Sequence, residues 1–176
     1  MNKMNYEIII PGLNDLEGIV EAQRDAWRDS YPSPENGVSK EWVYEKSEGF
    51  SSSYLAARLD GYTSDSKTLY IAAKANDGEI LGFLHADKKS DYNELGAIYL
   101  SPKYIGSGVG GTLMQRFLAW LDPSKPSRLE CVSYNQRAIG FYEHYGFKIS
   151  DKLMPKFGDV MPTIEMIRSV KKGVSK

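Results

Sequence analysis

Cys131-Val132-Ser133-Tyr134-Asn135-Gln136-Arg137-Ala138-Ile139-Gly140-Phe141-Tyr142-Glu143-His144-Tyr145-Gly146-Phe147 is the stretch on which the reading of the fold turns. It reads as the end of a strand, an Asn at the strand end, and a short helix over 136–145. Ala138, Phe141, Tyr142 and Tyr145 recur at the three-and-four spacing that gathers side chains on one helical face, so that face is apolar. Gly146 stands where a helix ends in a left-handed residue, and Phe147 restarts a strand. Taken alone, this describes a helix packed by its aromatics into a core. A glycine-rich stretch upstream changes that.

Gly106-Ser107-Gly108-Val109-Gly110-Gly111 follows a strand over 94–100 and opens a helix over 108–121. Glycines let a backbone approach a ligand closely, and unpaired N–H groups at a helix start suit an anion. The helix dipole adds about 0.3–1 kcal/mol for a phosphate there. A pyrophosphate-bearing cofactor is therefore expected, either a dinucleotide or coenzyme A. Gly106, Gly108 and Gly111 satisfy G-x-G-x-x-G, and Glu130 lies where a ribose-binding acid would be sought. Two features count against the dinucleotide. Ser101-Pro102-Lys103-Tyr104-Ile105 intervenes between strand and loop, and Glu130 falls inside its strand rather than at its C-terminal end. No Lys-Ser/Thr follows the glycines, which excludes a Walker loop.

Ser101-Pro102-x-x-x-Gly106-x-Gly108-x-Gly110 resembles the first cofactor motif of the GNAT superfamily, the acyl-CoA-dependent N-acetyltransferases. Asn135-x-x-Ala138-x-x-Phe141-Tyr142-x-x-x-Gly146-Phe147 resembles the second, in the right order. One departure is Ile105, where the family has Arg or Gln. The resemblance implies acetyl-CoA as the acetyl donor, with phosphates on the backbone of Gly106, Ser107, Gly108, Val109, Gly110 and Gly111. It implies that Ile98, Tyr99 and Leu100 offer backbone N–H groups to the pantetheine arm and oxyanion, and that Asn135 holds that arm. Tyr142 matches the tyrosine that protonates the departing thiolate. Glu94 is the carboxylate expected to relay a proton from the amine, with His85 as the other candidate and His144 near the phosphates if anywhere. Trp27, Tyr31 and Tyr99 are the expected acceptor-site residues. Trp27-x-x-x-Tyr31 resembles spermidine/spermine acetyltransferases and also some ribosomal-protein N-terminal acetyltransferases. Glu17, Glu21, Asp25 and Asp29 add an acidic stripe that a polyamine could use, or that is merely solvated.

The rest of the chain is consistent with this. Its 176 residues favour a single domain, expected over 1–170 with a basic tail at 171–176. The net charge of −1 gives no electrostatic footprint for nucleic acid. One cysteine, Cys131, precludes an internal disulfide and fits a reducing cytoplasm, and mid-strand it reads as a buried small hydrophobe. No signal-peptide pattern, membrane span or metal-ligand cluster is visible, so a cytoplasmic enzyme acting on a small-molecule amine is expected. A homodimer is one of the oligomeric states left open. The expected elements are a strand at 5–10, a helix at 14–30, helices at 39–48 and 52–60, and strands at 68–75, 79–88 and 94–100. After the helix at 108–121 come a strand at 127–133, the helix at 136–145, and strands at 147–153 and 162–168. The fold class is α/β: a single GNAT-like domain with a mixed, mostly antiparallel twisted sheet flanked by helices. Peptide N-terminal acetylation, a non-catalytic acyl-CoA-binding regulator and a nicotinamide oxidoreductase are the competing functions.

Overall fold

A computed structural model describes residues 5–170; the basic tail expected at 171–176 lies outside them. One seven-stranded sheet organises the chain. Its strands are β1 (Tyr6–Ile9), β2 (Thr68–Ala75), β3 (Ile80–Lys88), β4 (Asn93–Leu100), β5 (Ser127–Val132), β6 (Lys148–Ile149) and β7 (Thr163–Arg168), in the order β1-β2-β3-β4-β5-β7-β6. Every neighbouring pair is antiparallel except β4 and β5. A parallel pair needs a long crossover, and α5 (Val109–Trp120) supplies it. The mixed, mostly antiparallel sheet expected from the sequence is therefore present.

The central strands are buried on both faces because helices cover both. Along β2, Ile71 and Ala73 pack towards Leu113, Met114 and Phe117 of α5, while Tyr70 and Ala72 pack towards Leu16, Ile19 and Ala22. Those three belong to α1 (Leu16–Ser30), whose apolar residues recur at helical spacing. The chain enters α1 through Asp15, whose carboxylate accepts the Gly12 N–H at 2.8 Å and pairs with Lys74 at 2.7 Å. α2 (Lys40–Glu48) starts on Ser39, which accepts the Trp42 N–H at 3.1 Å. The helix expected at 52–60 is instead two pieces, α3 (Ser52–Ala56) and α4 (Leu59–Ser64). No Gly or Pro stands at the Ala57–Arg58 break, so nothing in the sequence marks it. The strand expected at 147–153 shortens to β6, two residues long. Beyond it Ser150 turns its hydroxyl onto Glu165, at 2.9 Å.

Asn93 fixes the start of the parallel pair. It is fully buried, donates to the Asp122 carbonyl at 2.9 Å and accepts the Asp122 N–H at 2.8 Å, tying β4 to the end of the crossover. Buried polar side chains persist when satisfied this way.

Candidate active site

β4 and β5 pair only from Asn93–Ser127 to Leu95–Leu129 and then part. Each remains bonded on its other edge, β4 to β3 and β5 to β7. At the point of parting β4 carries an extra residue, Gly96: His85 faces Ala97 while Ala86 faces Leu95. Such a bulge sharpens local twist and turns a strand away from its neighbour. Two facing strand edges are left without mutual hydrogen bonds, and backbone groups so placed must find other partners. Between them lies a cleft of about 430 Å³, walled by Gly96–Leu100 on one side and Glu130–Val132 on the other. That volume is within the range of small-molecule sites.

The glycine loop closes one end. Gly106, Gly108, Gly110 and Gly111 line the cleft. Gly106 (φ +82°) and Gly108 (φ +91°) are left-handed, which a side chain would strain, and at both a Cβ would point into open space. Gly108 caps α5, whose first N–H groups have no intrahelical partner. Ser107 and Val109 contribute at most backbone. The Ser107 hydroxyl is spent on the Tyr104 carbonyl at 2.6 Å, and Val109 is fully buried in the core. Ile105, the departure from the expected motif, is 38% exposed beside the loop.

The third wall is α6 (Gln136–His144), capped by Asn135, which accepts the Ala138 N–H at 3.1 Å. Asn135 lines the cleft, with its carbonyl committed to the cap and its amide N–H free for an arm lying in the cleft. Tyr142 comes from the next turns and points its ring at the same space. Burial, then Cys131 and Tyr99 nearby, holds its phenol far above the usual tyrosine range, and no protein hydrogen bond contributes to that shift. Cys131 lies beside it, pushed up to about 12 by burial, so it is a neutral thiol at pH 7.

At the outer end Tyr31 donates a long hydrogen bond, 3.4 Å, to the Tyr99 hydroxyl, and Tyr134 donates to the Tyr31 carbonyl. Burial raises both Tyr31 and Tyr99. Of the three residues expected at the acceptor site, Tyr31 and Tyr99 line the cleft and Trp27 does not. Its indole is 6% exposed and packs edge-on against Tyr31, Phe50 and Phe157 at about 5 Å, as a support behind Tyr31.

Glu94 is also outside the cleft. It sits where β4 and β5 still pair, and its carboxylate bridges to Lys89 at 3.1 Å. Leu95–Leu129 is the last pair, so Glu130 is the first β5 residue past the split, and it is the carboxylate on the cleft wall. Its charge is felt at Tyr99. His85 and His144 do not line this cleft either. Arg137, quoted in the motif but given no role, lines the cleft and reaches from α6 to α1, where it meets Asp29 at 3.2 Å and Ser30 at 2.9 Å. All four acidic residues of the α1 stripe, Glu17, Glu21, Asp25 and Asp29, are exposed and outside the cleft lining. No group of three His, Cys, Asp or Glu is arranged for a metal among the described residues, and no helix there is long and apolar enough to cross a membrane.

The arrangement fits a phosphorylated thioester with an amide-bearing arm. Open strand edges suit such an arm, and glycine N–H groups at a helix start suit phosphate, with a phenol in the same cleft. Comparisons agree. The profile of the acetyltransferase (GNAT) family matches residues 16–147. A spermidine N(1)-acetyltransferase from Thermoplasma acidophilum is 30% identical, over 84% of this chain and 91% of the relative. The crystal structure of the PaiA N-acetyltransferase from Thermoplasma acidophilum in complex with coenzyme A superposes with a TM-score of 0.74 at 25% identity, covering 94% of this chain and 99% of that one. A peptidyl-lysine N-acetyltransferase from Escherichia coli is 36% identical over a shorter span, 43% of this chain and 47% of the relative. The split strands, the glycine loop and these likenesses together place the chain in the GNAT family, as an acetyl-CoA-dependent N-acetyltransferase.

Proposed function

We propose that the chain acetylates a primary amine of a polyamine or a similar small cation, held at the outer end of the cleft beside Tyr31 and Tyr99. The observation that carries the chemistry is the meeting of Tyr142, Tyr99 and Glu130 where β4 and β5 part. The name of the Thermoplasma relative supports the acceptor class.

Bound acetyl-CoA supplies an activated acyl group; this chain's residues handle the protons and charge. A Lys-like amine with pKa near 10.4 is about 3.4 units from neutrality at pH 7, a cost of roughly 4.6 kcal/mol. Glu130 is the carboxylate placed to take that proton, directly or through one water. Alternation along β4 turns the Tyr99 N–H onto β3 and leaves the N–H groups of Ile98 and Leu100 on the open edge, where they are offered to the oxyanion and the arm. Tyr142 stays protonated well past neutral pH and donates to the departing thiolate. A thiolate of pKa about 8.5 leaves readily, so a phenol above it acts mainly by a strengthening hydrogen bond.

Initial rates with spermidine, N-acetyl-lysine and a peptide with a free N-terminal Ser, followed by thiol release, test the acceptor class. Spermidine is expected to give the highest kcat/KM. A peptide acetylated faster than spermidine would replace the polyamine reading with a peptide acetyltransferase. The absence of thiol release with any amine, from protein that binds acetyl-CoA, would favour the non-catalytic regulator.

A further inference from the structure

A second cavity, of about 260 Å³, lies on the α1 side of the sheet, back to back with the cleft across Ala97. Phe50, Tyr54, Tyr62, Tyr70 and Phe83 give it aromatic walls, and His85 stands among them. Tyr62 lies 4.8 Å from the His85 ring and 5.1 Å from the Tyr70 ring. Two polar atoms here lack partners. Tyr70 is 4% exposed with its hydroxyl unpaired, and the buried Nε2 of His85 makes no hydrogen bond. Buried polar groups are rarely left so, and each unsatisfied one is costly.

What would satisfy them is set by chemistry. No Lys or Arg lines the cavity, so an anion finds no partner. An apolar guest would leave both polar atoms orphaned. An ammonium offers three N–H donors, enough for the imidazole nitrogen and the phenol oxygen together, and it is attracted to aromatic faces. Burial lowers the His85 pKa, so the ring is neutral at neutral pH and keeps one nitrogen as an acceptor, and Asp87 Oδ1 lies 3.9 Å from Nε2, a negative charge beside the site. A volume of about 260 Å³ leaves room for a short alkyl chain.

We propose that this aromatic cavity is a second ligand site, for a small primary alkylammonium ion, distinct from the acetyl-transfer cleft and independent of which amine is acetylated. With only two histidines in the chain, the His85 ring is readily followed by NMR. n-Butylammonium chloride is titrated into the CoA-saturated enzyme, where no acetyl group is available, at constant ionic strength. The His85 signals, assigned with His85→Gln, are expected to shift saturably while those of His144 stay fixed. Tyr62→Leu is expected to weaken binding about tenfold by removing a ring, and the isosteric Tyr70→Phe by a few-fold through one hydrogen bond. n-Butanol is expected to bind at least about tenfold more weakly. Equal binding of butanol would overturn the cation assignment and leave an apolar void. No saturable shift would mean a water-filled cavity. A shift that survives both variants but disappears in Tyr31→Ala would place the amine in the acetyl-transfer cleft, and the second site would fall.

Discussion

The cleft has two ends made of different material. The end proposed for the cofactor is backbone: glycines with positive φ, the start of α5 and the open edges of β4 and β5. The end proposed for the acceptor is side chains brought from α1, β4, β5 and α6: Tyr31, Tyr99, Glu130, Arg137 and Tyr142. A backbone site is broken by adding atoms, and a side-chain site by removing them. Variants at the two ends should therefore separate in which kinetic constant they move.

The largest effect is expected from Tyr142→Phe. It removes one oxygen where the leaving group departs, so kcat should fall about 10²-fold with little change in the acetyl-CoA KM. Stopped-flow or steady-state rates under conditions where chemistry limits would check it. An unchanged kcat in a folded variant would reduce Tyr142 to packing. Its pH behaviour sharpens the point. Burial raises the Tyr142 pKa, so the acid form persists through pH 10. The rate should climb as the amine loses its proton and show no alkaline fall near the ordinary tyrosine value. A fall there would assign the acid to a more exposed phenol.

At the other end, Gly108→Val puts a β-branched residue at φ +91° and a side chain into the space over the loop. Acetyl-CoA binding should weaken by at least about tenfold, about 1.4 kcal/mol, with kcat at saturation less affected. Calorimetric titration of acetyl-CoA reads this directly. A tenfold loss of kcat with unchanged affinity would mean that the loop serves the chemistry rather than the phosphates.

This division also governs how much the sequence reveals. Glycine in a loop before a helix is a local signal, so Gly106 to Gly111 stand out in the sequence, and the mixed, mostly antiparallel class followed from element order, whereas the insertion of β7 between β5 and β6 did not. The acceptor end depends on where two strands part, which is not local. Glu94 and Glu130 both look like strand carboxylates in sequence. Only the pairing, ending at Leu95–Leu129, puts one inside the ladder and the other on the cleft wall. Trp27 lies behind the cleft wall for a similar reason. One helical turn separates it from Tyr31, and α2 with Phe157 covers the indole and leaves the phenol at the cleft. Asn135, expected to hold the pantetheine arm, lines the cleft and caps α6.

Glu130→Gln tests that correction. If Glu130 takes the amine proton, kcat/KM for the acceptor should drop about tenfold at pH 7 and recover partly at pH 9.5, where more amine is already neutral. Glu94→Gln should leave the rate within about twofold, losing only a partly exposed pair with Lys89. The reverse order of effects would restore Glu94 as the base and remove Glu130.

The smallest effect is expected at the mouth of the cleft. Arg137 and Asp29 are 53% and 42% exposed, so their pair contributes at most about 1 kcal/mol to the fold. Arg137→Ala should barely move Tm. It should nevertheless act on a cationic acceptor, because it removes a positive charge from the cleft wall and releases the Asp29 carboxylate. The spermidine KM is expected to fall about two- to threefold at low salt, and the gain to fade as screening shortens to about 8 Å near physiological ionic strength. Asp29→Asn should raise that KM over the same salt range. A spermidine KM that rises in Arg137→Ala would mean that the guanidinium orders Ser30 and Tyr31 rather than repelling the substrate. The acceptor end would then owe its selectivity to shape more than to charge.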